Sequence, residues 1–262
     1  MQPPEPLQQR ESRPIQRPTD VVLDDTQSRT VRVFNGSSQR RAAGAGVVVS
    51  YRGHHFVLTA LHVITGVSSR SDQKALDDAV DKQNLEVEFW NGERSAPVFF
   101  SAIPMWDIVM MGPVKVPHSV ASSRFLDSTG FLDAKVGDAF IVWGAPYGYG
   151  PVPLVGRYSA QTMTQHSIVE GGKEVAIPGG VAFGMEVGVG AQPGHSGGPV
   201  FDLQGNLLGV VSYSWLENDG ILSPVAAGFQ LSTYWKVLLG ELDKFLVRAG
   251  LITTPTSPMR MD

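Results

Sequence analysis

Short apolar runs separated by turn residues fill most of the chain, and they are typical of β-strands. In the first half they predict strands at 31–34, 46–51, 55–59, 85–90, 98–103 and 108–111. In the second half they predict strands at 139–143, 154–161, 167–169, 181–187, 200–202, 207–212 and 228–231. Regular short strands with Gly-rich turns indicate an all-β barrel or sandwich.

Turn residues and helical spacing add detail to this pattern. Arg52-Gly53 joins two of the predicted strands, and Asn91-Gly92 is a strong hairpin turn. An acidic stretch at 71–82 could form a short helix. Residues 234–249 carry apolar side chains at helical spacing, which predicts a closing amphipathic helix.

The two ends differ from this globular region. Residues 1–20 are rich in Pro, Gln and Arg and lack apolar residues to bury, so we expect them to be disordered, as we do 253–262. Residues 21–252 then form one domain of two halves, which divide near 115–137.

Composition narrows the possible functions. The 262 residues carry a net charge of −4 and show no basic stripe, so a nucleic acid is not an expected partner. No apolar run is long enough for a membrane helix, and no secretory signal peptide is visible. With no cysteine and no histidine cluster of useful spacing, we expect neither a metal nor a cofactor. A cysteine-free chain is compatible with the cytoplasm, but the sequence fixes neither compartment nor oligomeric state.

The segment Gly194-His195-Ser196-Gly197-Gly198-Pro199 is the most informative one for chemistry. Glycines beside a serine let a substrate carbonyl approach closely, and backbone N–H groups can converge there on one oxygen. A Gly-rich surface turn is the alternative. The segment also fits the nucleophile elbow of α/β-hydrolases, but that fold needs a histidine after the serine, and all six histidines precede Ser196.

The opposite order, His then Asp then Ser, is present. His62 follows an apolar strand in Thr59-Ala60-Leu61-His62, and Asp107 begins the apolar run 108–111. A serine nucleophile needs a histidine base, and a carboxylate must orient that base. We therefore expect His62, Asp107 and Ser196 to form a triad. We expect the N–H groups of Gly194 and Ser196 to form an oxyanion hole.

These segments resemble the motifs of trypsin-like peptidases, in particular the cysteine-free HtrA/Deg type. The matching stretches are Thr59–Val63, Asp107–Val109, Gly144–Gly148, Gly156–Ala160 and Gln192–Pro199. The resemblance covers roughly residues 44–232. It implies a chymotrypsin-like fold of two six-stranded antiparallel β-barrels and cleavage of a polypeptide substrate.

The resemblance also implies three walls for the pocket that binds the side chain before the scissile bond. They are Gly190, Ala191 and Gln192; Ser212, Tyr213 and Ser214; and Gly228, Phe229 and Gln230. No Asp or Glu lies among them, so we expect cleavage after medium apolar residues rather than after Lys or Arg.

The chain departs from the family pattern at two points. HtrA proteins usually carry a PDZ domain after the peptidase domain, and this chain ends without room for one. His195 takes the place of the Asp or Asn that is common before the nucleophile, so no trypsin-like zymogen switch is expected. A catalytically silent member of the fold that only binds peptides is the alternative function.

Overall fold

The computed structural model is mostly β, with a seven-stranded sheet, a closed six-stranded barrel and a two-stranded hairpin, all antiparallel. The structure describes residues 17–35, 43–65, 85–103, 107–120, 137–160, 166–170, 173–177, 181–185, 192–216 and 222–253. The predicted helix at 71–82 and most of both predicted tails lie outside these residues. None of the helices in the described part is long and apolar enough to cross a membrane.

The first half is a sheet of seven strands with two helices. The strands are β1 (Thr30–Phe34), β2 (Gly44–Tyr51), β3 (His54–Ala60), β4 (Glu86–Phe89), β5 (Arg94–Ser95), β6 (Phe99–Ile103) and β7 (Ile108–Gly112). Their order in the sheet is β5-β4-β1-β2-β3-β7-β6. The helices are α1 (Asp20–Ser28), before β1, and α2 (Leu61–Thr65), directly after β3.

The second half contains a closed barrel, a hairpin and a helix. Its strands are β8 (Ala139–Gly144), β9 (Val152–Ala160), β10 (His166–Glu170), β11 (Lys173–Ile177), β12 (Val181–Met185), β13 (Pro199–Asp202), β14 (Leu207–Leu216) and β15 (Leu222–Gln230). The barrel order is β12-β15-β14-β13-β8-β9, and β10 pairs with β11 alone. A 3-10 turn (Pro146–Gly148) follows β8, and α3 (Leu231–Arg248) follows β15.

The predicted six-stranded barrel is therefore present in the second half, whereas the first half differs from expectation. After the Asn91-Gly92 turn the chain pairs back on β4, with Glu88 opposite Arg94. This short return adds an edge strand, β5, so the described sheet has seven strands instead of six.

The strands β2, β3 and β7 separate two hydrophobic cores, because alternate residues of a strand point to opposite faces. On one face Val48, Val57 and Val109 are buried in the core of the first half. On the other face Val47, Leu58 and Met110 pack with the barrel strands. The last turns of α3 join this second core through Leu242, Phe245 and Leu246, as the amphipathic pattern predicts.

The N-terminal helix α1, which the sequence pattern does not predict, is tied to the barrel by a buried hydrogen bond. Thr19 caps its first turn. The Trp143 Nε1–H on β8 donates to Thr26 Oγ1 at 2.9 Å, and that hydroxyl donates to the Val22 carbonyl at 2.7 Å. Thr26 is fully buried and Trp143 nearly so. Beside them, Arg29 donates to the Gly205 carbonyl at the β13–β14 turn.

Thr26→Val should therefore destabilise the protein. Valine keeps the volume but leaves the Trp143 N–H buried without an acceptor, which costs about 1–3 kcal/mol. Ser28→Ala is the matched control, because Ser28 donates only to the Asp25 carbonyl within the same helix. Chemical denaturation measures both variants, and equal unfolding free energies for the two would contradict this role of Thr26.

Candidate active site

His62 lies on α2, immediately after the central strand β3. Asp107 lies at the start of β7, the neighbour of β3 in the sheet, and Ala60 is paired with Ile108. The ends of the two strands therefore bring the imidazole and the carboxylate together. The His62 and Asp107 side chains are only 22% and 16% exposed.

Asp107 holds His62 through two contacts. Its Oδ1 accepts the backbone N–H of His62 at 2.9 Å, and its Oδ2 lies 2.7 Å from His62 Nδ1. The Asp107 carbonyl also accepts the Leu61 N–H at 2.9 Å. Asp107 adopts a positive φ of 51°, a conformation that is uncommon for a residue with a side chain. Backbone and side chain together thus fix the orientation of the ring, with Nε2 as its remaining nitrogen.

Ser212 is a further partner of the carboxylate, and the sequence analysis assigned it only to a pocket wall. Its Oγ donates to Asp107 Oδ2 at 2.5 Å, and the residue is 3% exposed. Between Val211 and Tyr213 the register of β14 with β15 shifts. Such an irregularity re-aims a side chain. The sequence carries no separate signal for this contact, which depends on packing between the two halves.

Ser196 is positioned against β2 of the first half, next to Gly44 and Ala45. Its carbonyl accepts the Ala45 N–H at 2.9 Å. A Cβ built on Gly44 would lie 2.6 Å from that carbonyl oxygen and 2.6 Å from Val63 Cγ2. The Ser196 backbone and the Val63 side chain, which follows His62, therefore both pack against Gly44 on β2. No hydrogen bond joins Ser196 Oγ to His62 in the described part of the chain, and such bonds are often long without substrate.

The residues before Ser196 form a tight turn. The His195 N–H donates to the Gln192 carbonyl at 2.9 Å, and Gly194 has a φ of +104°. Proline in the second position and a positive-φ glycine in the third are typical of a type II turn. A Cβ at Gly194 would lie 2.0 Å from the Ala145 carbonyl oxygen, so this position has no room for a side chain.

The segment after β8 donates two hydrogen bonds to carbonyl groups of this turn. The Ala145 N–H donates to the Gly194 carbonyl at 2.8 Å, and the Tyr147 N–H donates to the Pro193 carbonyl at 2.9 Å. In a trans peptide the C=O and N–H groups point in opposite directions. Since the Pro193 carbonyl points at Tyr147, the Gly194 N–H points away from that segment.

Two N–H groups of this loop have no acceptor among the described residues. The Gln192 N–H donates to His195 Nδ1, and the His195 N–H donates to the Gln192 carbonyl. The N–H groups of Gly197 and Gly198 donate to the carbonyls of Val211 and His195, respectively. Those of Gly194 and Ser196 are left over. Buried backbone N–H groups are almost always paired, and Gly194 is buried. These are the two groups expected from the sequence to bind an oxyanion, and among the described residues neither has an acceptor.

The model of the trypsin-like peptidase domain matches residues 44–210, a range that includes His62, Asp107 and Ser196. The chain belongs to the trypsin-like peptidase family. The resemblance seen in the sequence motifs is thereby confirmed.

Sequence and structure comparisons agree with this membership. The chain is 22% and 25% identical to the "Probable periplasmic serine endoprotease DegP-like" proteins of Hahella chejuensis and Ectopseudomonas mendocina, over 71% and 77% of its length. It spans only 33% and 37% of those relatives. A crystal structure of Rv3671c from M. tuberculosis, a serine-to-alanine mutant in an inactive form, has a TM-score of 0.57 at 20% identity. The match covers 93% of this chain and 99% of that one, and it supports the trypsin-like fold.

The pocket walls expected for a trypsin-like peptidase are only partly described. Gly190 and Ala191 lie outside the described residues, and Gln192 begins the turn before Ser196. Tyr213 and Ser214 pair with Ala227 and Ala226, so β14 and β15 lie side by side. Gly228 stands opposite Val211 on one side and Val181 on the other.

Proposed function

We propose that this protein is a serine endopeptidase in which Ser196 is the nucleophile, His62 the general base and Asp107 the residue that orients the base. Membership of the trypsin-like peptidase family implies a polypeptide substrate. The observation that carries the proposal is that the N–H groups of Gly194 and Ser196, in the same turn as the serine, have no acceptor among the described residues.

The proposed reaction has two halves. Ser196 Oγ attacks the scissile carbonyl while His62 Nε2 takes its proton, and the resulting oxyanion accepts the N–H groups of Gly194 and Ser196. His62 then returns the proton to the leaving amine, which leaves an acyl-enzyme. In the second half water attacks the acyl carbon and gives one proton to His62. The bond to Ser196 Oγ then breaks, Oγ takes that proton from His62, and the acid leaves. Asp107 stays ionised and stabilises the imidazolium throughout.

Preformed donors support this function because they stabilise charge that appears only in the transition state. Their direction here rests on the carbonyl contacts with Ala145 and Tyr147, at 2.8 and 2.9 Å. A protein that only bound peptides would need neither these donors nor the hydrogen-bonded pair of His62 and Asp107. The catalytically silent alternative therefore explains fewer of these contacts.

Gly194→Ala should depress turnover by about 10²-fold or more, the cost of losing one oxyanion donor. The added methyl group would meet the Ala145 carbonyl, so the turn must shift. Gly53→Ala is the matched control. Gly53 also has a positive φ, +78°, but its Cβ would meet nothing within 4 Å. Comparing kcat/KM of the two variants at equal folded fraction tests the turn, and similar rates would argue against this oxyanion site.

For specificity we propose cleavage after medium apolar residues such as Val, Leu, Ala or Met. The expected walls hold no acidic residue, and an unpaired cation there would bear a desolvation cost of several kcal/mol. Each methylene in an apolar slot is worth about 1–3 kcal/mol, so the preference should be graded. A peptide-library digest read by mass spectrometry measures it, and dominant cutting after Lys or Arg would refute the pocket assignment.

A further inference from the structure

His195 is the buried side chain of the turn that carries the nucleophile. The residue is 2% exposed. Its ring lies against β8, since a Cβ on Gly144 would be 2.5 Å from His195 Cδ2 and 2.6 Å from its Cγ. The ring therefore fills the space between the turn and the barrel strand that precedes the Ala145–Tyr147 segment.

One ring nitrogen of His195 closes the turn, and the other has no partner among the described residues. Nδ1 lies 3.2 Å from the Gln192 nitrogen and 3.1 Å from the Gln192 carbonyl oxygen. In a neutral ring Nδ1 either accepts the Gln192 N–H or donates to the Gln192 carbonyl, according to the tautomer. Among the described residues the buried Nε2 has no hydrogen-bond partner. A neutral imidazole leaves one uncharged ring atom unpaired.

A protonated imidazole fits this site poorly. Its Nδ1–H could only donate to the Gln192 carbonyl, which already accepts the His195 N–H, and its Nε2–H would be a buried charged donor with no acceptor among the described residues. The described residues that contact the ring are Gly144 of β8 and Gln192 of its own loop, neither of which titrates. Within the described residues no acidic or basic side chain makes a hydrogen bond or ion pair with it.

We propose that His195 is a positioning residue that holds the oxyanion turn in its donating form only while its imidazole is neutral. Protonation places an unpaired charge on the buried Nε2, so the ring leaves its site against Gly144 and the turn is released. The Gly194 N–H is then redirected, and turnover stops. This inference rests on the proposed peptidase function, because it assigns a purpose to the same turn.

The direction of the titration agrees with this role. Burial lowers the pKa of His195 from its ordinary value of 6.5, and the hydrogen bond with Gln192 opposes this shift only in part. The folded state thus prefers the neutral ring. The contribution of the turn to stability is present above pH 6.5 and is lost as the pH falls through the lowered pKa.

Rate measurements on two variants test the proposal. A single histidine base gives an acid limb of slope one in log kcat/KM against pH. The wild type should steepen toward slope two below the pKa of His195. His195→Asn supplies an amide oxygen for the Gln192 N–H but does not titrate, so its limb should stay at slope one. His195→Phe keeps a ring but no acceptor, and its kcat should fall at least 10-fold below that of His195→Asn at pH 8. An acid limb of slope two in His195→Asn, or equal kcat values for the two variants at pH 8, would overturn the proposal.

A measurement without turnover separates this inference from the proposed function. In ¹⁵N-labelled Ser196→Ala protein, NMR can follow the His195 ring and the Gly194 amide as the pH falls. We expect both to shift with one midpoint while the rest of the barrel stays folded. A ring that titrates while the Gly194 amide stays unchanged would contradict the proposal, even if no peptidase activity were ever found.

Discussion

Ser196→Ala should lower peptide turnover on the order of 10⁴-fold or more, because the triad acts as a unit. Removing one oxygen deletes the nucleophile and nothing else that the described structure depends on. Ser196 is held through its backbone, by the carbonyl that accepts the Ala45 N–H at 2.9 Å. The fold should therefore remain intact, and the measured loss should fall on kcat with little change in peptide binding.

The control for this variant is Ser119→Ala, at an exposed serine whose hydroxyl only accepts a 3.3 Å contact from Asn91. It should keep full activity. Thermal unfolding of both variants verifies that the comparison is between folded proteins. If Ser196→Ala kept a substantial share of the wild-type rate, the nucleophile would have to be sought elsewhere.

Asp107→Asn should cost about 10⁴-fold in rate near neutral pH. With the amide oxygen accepting the His62 backbone N–H, the amide nitrogen would take the place of Oδ2 beside Nδ1. Two donors cannot face each other, so Nδ1 would have to lose its proton and Nε2 would have to carry one. A protonated Nε2 cannot accept the proton of Ser196.

Ser212→Ala is the informative companion to Asp107→Asn. It removes the 2.5 Å hydrogen bond to Oδ2 but leaves the carboxylate and the tautomer of His62 unchanged. We expect a loss of about 10-fold, the size of one hydrogen bond to a charged group. Steady-state kinetics on both variants, with the His62 tautomer read by ¹⁵N NMR, separates the two roles. An Asp107→Asn enzyme as active as Ser212→Ala would exclude tautomer control by Asp107.

The sequence pattern predicted most strands because their alternation and turn residues are local signals. The β2–β3 hairpin around Arg52-Gly53 and the Asn91-Gly92 turn are present as expected. Strand β11 (Lys173–Ile177) was missed, since its Lys and Glu weaken the apolar run, and it pairs only with β10. Helix α1 was missed because the contact of Thr26 with Trp143 that anchors it joins distant parts of the chain.

The same distinction holds for the site. The motifs around His62 and Asp107 predicted a pair that the fold brings within hydrogen-bond distance. The contacts of Ser212 and the buried ring of His195 could not be predicted, because they depend on a register shift in β14 and on the absence of a side chain at Gly144. These are properties of packing between strands far apart in sequence.

The most direct test of the central claim is covalent labelling with an organophosphonate or a sulfonyl fluoride, with the modified residue located by mass spectrometry. These reagents report on an activated serine, so the proposed triad predicts one modified residue, Ser196. Labelling should be lost in His62→Ala, which keeps the serine but removes its base. Modification of another residue, or equal labelling of Ser196 in His62→Ala, would contradict the triad assigned to this chain.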